Sequence, residues 1–428
     1  MCGATSYTLA DWTHKIPESE IRRILRYNPK FYFGGGKPGA LPIRAFGEIL
    51  QRISYKLMES PAVGSQELLD YGRTEGLPEL CKVLAERLRT KDGVPLDSED
   101  GWKDVVITSG SQQTLYALLD VLVQPNDLIM VARPSYLGFV MPAAKLGAEL
   151  ISLPTDLHGI LPEAIEIACR ESEKQFGRTP KILYVVPFSD NPKGTTLPDS
   201  RKHELYNLAE QWNFLIAEDV AYKEIRFGVD LPPLHPIKEL DQENERVAYL
   251  STTTKEAASL RLGYSVYPES IREKIIVAKG YLDLCSPSLT QEVARIYYAE
   301  YIDKWLPQVI NAYEERRNAM LDAVDAFMPP GEHTYPKGGF FVWYELEKES
   351  FDTKKFLDKN IEKVQFVPSV SFFPLNGWAV DDSCSRLVPR IVRSNAMRLA
   401  YSLAVPETIR QGIQLLGSLL DQEVSDNY

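Results

Sequence analysis

Residues 181–222 read KILYVVPFSDNPKGTTLPDSRKHELYNLAEQWNFLIAEDVAY. The segment opens on one apolar run, KILYVVP, and closes on a second, FLIAEDV (214–220). Runs this short, rich in Val, Ile and Leu and stopped by Pro or Asp, suit strands buried on both faces. Between them, DSRKHELYNLAEQW sets Leu205, Leu208 and Trp212 at helical spacing, with Asp199 and Ser200 as candidate N-caps. Strand, helix and strand in so short a stretch predict a parallel pair joined by a crossover helix. The alternation extends both ways, through DVVITSG (104–110), DLIMVARP (127–134), AELISLP (148–154), RVAYLST (246–252) and LGYSVYP (262–268), with helical stretches such as SQQTLYALLDVL (111–122) between. The expectation is an α/β fold with a mainly parallel central sheet and helices on both faces.

Beyond about residue 270 the texture changes. A long helical region (289–328) precedes the strand-like GGFFVWYEL (338–346), a helix near 353–360, the strand VQFVPS (364–369), MRLAYSL (397–403) and a final amphipathic helix. That pattern predicts a smaller α+β domain over 301–428, beside a large domain over 61–300. Residues 1–60 resemble neither part and are expected to form an N-terminal arm and lid segment packed on the small domain.

The 428 residues are 44% hydrophobic and 25% charged, with 48 Lys plus Arg against 59 Asp plus Glu, a formal charge of -11. This is ordinary globular composition, long enough for a large core. An acidic balance disfavours phosphate backbones, so no nucleic-acid partner is expected. The five cysteines (Cys2, Cys81, Cys169, Cys285, Cys384) form no CxxC pair, which suits a reducing compartment. MCGATSYTLADWTHK has no apolar signal-like core and no apolar run approaches spanning length; the expectation is a cytoplasmic protein without a membrane partner.

GxSxG, HExxH and GxxxxGK[ST] are all absent, the five histidines are scattered, and Gly34-Gly35-Gly36 lacks the dinucleotide pattern. No metal site is expected. The informative residues stand at the ends of expected strands, the edge of an open α/β sheet where ligands bind. Ser109-Gly110-Ser111-Gln112 ends one strand and opens a helix, either a phosphate cradle or an ordinary cap. Tyr136 follows the next strand, and Asn191-Pro192-Lys193-Gly194 the one after; alone they would be a packing aromatic and a turn. Asp219-Val220-Ala221-Tyr222 ends FLIAEDV, where a buried carboxylate needs a partner. Ser251-Thr252-Thr253-Thr254-Lys255 precedes Arg261-Leu262-Gly263, and Arg398 stands in MRLAYSL.

This ordered set, over nearly the whole chain, resembles the pyridoxal-phosphate aminotransferases of class I/II, fold type I. The match is closest to the 2-aminoadipate and aromatic branch, whose N-terminal lid segment reads like SEIRRIL…FGGGKP. The resemblance implies that Lys255 makes the covalent link to pyridoxal 5'-phosphate, that Asp219 faces the ring nitrogen, and that Tyr222 and Asn191 bind the ring's phenolic oxygen. It implies an aromatic stack from Tyr136, a phosphate site from Gly110, Ser111, Gln112, Thr252 and Arg261, and a contribution by Tyr71 to the neighbouring subunit of a homodimer. Arg398 would grip the substrate α-carboxylate beside the loop of Gly36 and Pro38. Glutamate's second carboxylate needs another cation, and Arg22 or Arg23 in the lid is the candidate. The implied reaction is ping-pong transfer of an amino group between an L-amino acid (aromatic, aminoadipate-like, aspartate or other bulky) and 2-oxoglutarate. C–S lyase, cyclopropane-carboxylate synthase-like, decarboxylase or non-catalytic binding roles share nearly all these residues. The chain departs from the family in having Lys193 for the usual Thr and Thr252 for the usual Ser. It also has a shortened Lys255–Arg261 stretch, which leaves the register of Arg261 open, and an apparent insertion, AVDDSCSRLVPR (379–390).

Overall fold

The computed structural model describes residues 7–39, 43–59, 68–228, 231–255 and 257–425. Its central strands are β1 (Val105–Thr108), β2 (Leu128–Ala132), β3 (Glu149–Leu153), β4 (Ile182–Val185), β5 (Leu215–Asp219), β6 (Val247–Thr252) and β7 (Gly263–Val266). Downstream lie β8 (Gly331–His333), β9 (Phe341–Leu346), β10 (Val367–Pro368), β11 (Trp378–Val380), β12 (Leu387–Pro389) and β13 (Ala396–Ala400).

Among the described residues, nine strands form one sheet in the order β12-β11-β3-β2-β4-β5-β6-β7-β1. The five contiguous pairings from β11 to β6 are parallel, while β7 runs antiparallel to both its neighbours and β12 antiparallel to β11. The sheet is therefore mixed, with a parallel centre. Alternation of side chains explains the two covered faces: Leu128 and Met130 enter one apolar cluster, Ile129 and Val131 another, and Leu183 and Ile182 divide in the same way.

The apparent insertion has a place. β11 and β12 form a hairpin that leaves the C-terminal part of the chain and pairs Trp378 and Ala379 with Ile151 and Ser152 of β3. A second sheet, β8-β9-β13-β10, is covered by the long Ile302–Phe327 and Pro406–Ser425 helices. The position expected to divide the domains, 300/301, falls in a π-helical turn, Tyr297–Tyr301, that runs directly into Ile302–Phe327.

The N-terminal arm is shared. Phe31–Tyr32 pairs in parallel with Val364–Gln365, and Ile24 and Phe33 join the core of the second sheet. The Ile43–Glu59 helix instead buries Ile49 and Ile53 with Leu80, Leu84 and Ile107, against the first sheet. Packing of the whole arm on the small sheet is thus corrected, because the apolar stripe of this helix finds its partner surface elsewhere. Asp199 and Ser200 are likewise inside the Asp199–Trp212 helix rather than capping it; Pro198 stands at the cap and Asp199 pairs with Lys202 at 2.9 Å. Asn213, at φ 55°, closes that helix in the left-handed conformation that suits its short polar side chain. Among the described residues no helix is long and apolar enough to cross a membrane, no cysteine is disulfide-bonded, and no group of three or more His, Cys, Asp or Glu is placed to hold a metal.

Candidate active site

Parallel strands end at one edge, and the polar residues that follow them converge there. Asp219, the last residue of β5, is buried; its Oδ2 accepts from Tyr184 Oη at 2.9 Å and its Oδ1 from the Ala221 N–H at 3.1 Å. Burial pushes its pKa above the ordinary carboxylate value, against the pull of the Tyr184 hydrogen bond and of the Lys255 charge. Tyr184, on β4, stacks on Phe139 with centroids 4.0 Å apart and planes 7° from parallel. Lys255 follows β6, and its Nζ lies 4.5 Å from the Tyr222 ring centroid and 6.0 Å from that of Phe340.

Arg398 comes from β13 of the second sheet and is 1% exposed. Its Nη1 donates to Asn191 Oδ1 at 2.7 Å and its Nη2 to the Gly34 carbonyl at 2.6 Å, while the guanidinium lies 4.1 Å from the Phe341 ring centroid. Nε has no hydrogen-bond partner among the described residues. Burial lowers this guanidinium to about 10. A buried cation with an unused donor is poised for an anion. Asn191 also bonds the phenol of Tyr222, whose pKa burial drives upward.

Gly110 precedes the Ser111–Leu122 helix at φ 86°, and a Cβ there would come within 2.5 Å of Arg261 Nη2. Only glycine permits this approach. Arg261, itself left-handed at φ 50°, therefore stands over the helix N-terminus, with Nη1 3.4 Å from Thr254 Oγ1, which Thr252 Oγ1 bonds at 2.7 Å. The shortened Lys255–Arg261 stretch thus brings its arginine to the cradle. Gln112 Nε2 donates to the Gly138 carbonyl at 2.6 Å, and a Cβ on Gly138 would lie 2.4 Å from the Tyr136 ring. Burial raises the Tyr136 phenol, against the charge of nearby Lys255.

Gly36 packs so that a Cβ would lie 2.3 Å from Phe341 Cζ. The two lid arginines part company. Arg23 is taken up by Glu20 and Asp358, each at 2.6 Å, away from the convergence. Arg22 is exposed, and its charge, with that of Arg398, acts on the half-buried Tyr32 phenol. Tyr71 is not drawn into the cleft; it is 81% exposed. Tyr32, Tyr184, Phe340, Phe341 and Phe372 complete the walls, and none of them stood out in the sequence. Tyr184 sits inside KILYVVP, where an aromatic reads as core, and Phe341 in GGFFVWYEL, where only the glycines signal a close approach.

These residues fit pyridoxal phosphate on their own chemistry. A helix N-terminus under an arginine suits a phosphate dianion. A desolvated carboxylate suits a ring N–H⁺, and the lysine beside it suits a carbonyl carbon.

The sequence profile of the family described as aminotransferase class I and II matches residues 45–387. An aromatic-amino-acid aminotransferase of Thermococcus litoralis is 34% identical over 95% of this chain and 92% of its own length. A 2-aminoadipate transaminase of Thermus thermophilus is 29% identical over 95% and 94%. In structure, the kynurenine aminotransferase of Pyrococcus horikoshii, solved with PMP, kynurenine and its product, superposes with a TM-score of 0.85 at 31% identity, covering 97% of each chain.

Proposed function

The chain belongs to the class I and II aminotransferases, pyridoxal-phosphate-dependent transferases of fold type I, and from that membership we propose its substrates and the roles of its residues. The proposed reaction is ping-pong exchange of an amino group between an L-amino acid with an aromatic, aminoadipate-like or other bulky side chain and 2-oxoglutarate. The carrying observation is the buried Arg398, held by Asn191 and Gly34 with Nε unpaired, facing the Lys255–Asp219 pair across one cleft.

When bound, pyridoxal phosphate supplies a ring that delocalises the charge left when the substrate's Cα proton departs. Asp219 keeps the ring nitrogen protonated, and Tyr184 and the Ala221 N–H keep Asp219 in place. Lys255 Nζ would hold the cofactor's carbonyl carbon and, as the base beside Cα, would take the proton from it and return it. Arg398 fixes the α-carboxylate with two parallel hydrogen bonds, so Cα stands over Lys255 in both half-reactions. Tyr222 and Asn191 would bind the ring oxygen, Tyr136 would cover the ring, and Gly110, Ser111, Gln112, Thr252 and Arg261 would hold the phosphate.

The second carboxylate of glutamate falls to Arg22. Arg23 is occupied by Glu20 and Asp358, whereas the charge of Arg22 reaches Tyr32, which Arg398 also touches electrostatically. Half-reactions with glutamate, 2-aminoadipate and phenylalanine test this. Arg22→Gln is expected to weaken the two dicarboxylates about tenfold or more and leave phenylalanine within about twofold, while Arg23→Gln leaves the ratio unchanged. An unchanged ratio in Arg22→Gln refutes the assignment.

We also propose a homodimer with shared sites, in the cytoplasm. Leu69, Tyr71, Tyr281, Leu282 and Leu284 are all exposed, Tyr281 at 93%, and Gly72 lies against Ser288. The 281–284 segment adjoins the proposed phosphate cradle through the Ser109–Asp283 hydrogen bond of 2.9 Å, and exposed apolar side chains of this size suit a partner surface. Sedimentation at falling concentration, with and without cofactor, tests it; a fully active monomer refutes it.

A further inference from the structure

Lys193 follows the Asn191-Pro192 pair, and its side chain reaches from that turn to Thr155 and Asp156. Nζ donates to Thr155 Oγ1 at 3.2 Å and to the Asp156 carbonyl at 3.5 Å. Thr155 Oγ1 in turn donates to the Arg133 carbonyl at 2.9 Å. Arg133 opens the loop that carries Tyr136, and Lys193 lies two residues beyond Asn191. A short polar chain, Lys193 to Thr155 to Arg133, therefore joins the loop that carries Asn191 to the loop that carries Tyr136.

One end of this chain is firmly anchored. The buried Arg133 guanidinium donates to the carbonyls of Ser152 at 3.2 Å and Val380 at 2.7 Å, and pairs with Asp382 at 2.6 Å. The Arg133 backbone N–H continues the sheet by donating to the Leu153 carbonyl at 2.8 Å. Asp156, the second acceptor, is held by both Nη groups of Arg201 at 2.6 Å.

The Asn191 loop has less freedom to set itself. Gly194 sits at φ 73°, and a Cβ there would come within 2.7 Å of the Phe341 carbonyl, so this turn is pressed onto β9. Asp190 accepts from the Thr195 N–H and Oγ1 at 3.1 and 3.2 Å, closing the turn on itself. Those contacts hold the turn on β9, and Lys193 adds a tie from it toward the loop that carries Tyr136. The charge of Asp190 favours the ammonium form of Lys193, against a burial that lowers its pKa.

We infer that Lys193 is a positioning residue, which holds Asn191 in register with Tyr136 by anchoring one loop to the other through Thr155 and Asp156. This rests on the pyridoxal-phosphate reading above, since the register matters because both residues meet one ring. Asn191 also receives Arg398, so the same anchor steadies the α-carboxylate site.

The test uses the holoenzyme. Lys193→Met keeps the bulk of the stem and removes all three donors; Thr155→Val cuts the next link and is the milder change. The readouts are the visible absorption maximum and its pH midpoint, cofactor retention on dilution, and kcat and KM for one amino donor, with the melting temperature alongside. Loss of one such link is worth about fivefold. The expected result is a displaced pH midpoint, about fivefold weaker cofactor retention and a similar fall in kcat/KM in each variant. The double variant is expected to be little worse than either single, because both cut one chain. Lower melting with an unchanged band, midpoint and retention would make Lys193 merely structural and overturn the inference. If Lys193→Met does not fold, Thr155→Val decides on the same readouts. A wild type with no visible band after incubation with pyridoxal phosphate would instead fault the cofactor reading.

Discussion

Arg398 and Asn191 are 207 residues apart in the chain and share a hydrogen bond of 2.7 Å. The bond joins β13 of the second sheet to the loop after β4 of the first. The proposed carboxylate site is therefore built from both sheets, and its geometry depends on how they seat against each other.

Arg398→Lys keeps a positive charge but cannot reach Asn191, Gly34 and a carboxylate together, nor present a planar fork. KM for donor and acceptor alike is expected to rise by about 30-fold, or about 2 kcal/mol. In the wild type, burial has brought the guanidinium down to about 10. The charged form is the one that binds, so affinity for a carboxylate inhibitor should fade as pH rises through about 10. Steady-state kinetics and an inhibitor titration from pH 8 to 11 check both statements.

Asp219→Asn removes the charge proposed to keep the ring nitrogen protonated, and kcat is expected to fall by about 100-fold, or about 3 kcal/mol. Tyr184→Phe removes one supporting hydrogen bond and should cost about fivefold. Equal effects from the two variants would show that Asp219 acts through position rather than charge.

Borohydride reduction of the holoenzyme followed by peptide mapping should place the cofactor on Lys255. A label on any other lysine refutes the assignment, and Lys255→Ala should leave the reduced protein unlabelled.

Glu218, the neighbour of Asp219, points to the opposite face of β5 and is fully buried. Its two oxygens accept the N–H groups of Ile237 and Lys238 at 2.6 and 2.9 Å. Burial nevertheless raises it from 4.5 to about 7. Between those values the folded chain holds a proton that the unfolded chain has released, so stability falls as pH rises across the interval. The span corresponds to about 3 kcal/mol. Glu218→Gln should flatten that part of the profile, as measured by denaturant midpoints at pH 5 and pH 8.

What the sequence disclosed follows from how each feature is encoded. Strands β1 to β7 are local apolar runs with breakers at their ends; Asp219 ends β5, and Lys255 and Asn191 lie in the segments after β6 and β4, so a linear reading finds them. Arg398 was legible only through its place in an ordered set. The walls were not, because Tyr32, Phe341 and Phe372 meet the cleft through contacts spanning most of the chain. The difference between Arg22 and Arg23 needed Asp358, 335 residues beyond Arg23. The stretch 379–390 was opaque for the same reason: pairing with β3 depends on Ile151 and Ser152, which nothing nearby in sequence indicates.

The β11–β12 hairpin bears on how the molecule is made. Strand β3 borders β2 on one side, and its other edge is completed only when Trp378 and Ala379 arrive. During synthesis from the N-terminus, ELISL must wait, with one row of backbone donors and acceptors open, until more than two hundred further residues have been added. A chain halted before the hairpin carries that open edge permanently. The hairpin thus acts as a late-arriving selvedge for the sheet, and truncations that spare every catalytic group upstream of it are still expected to associate edge to edge.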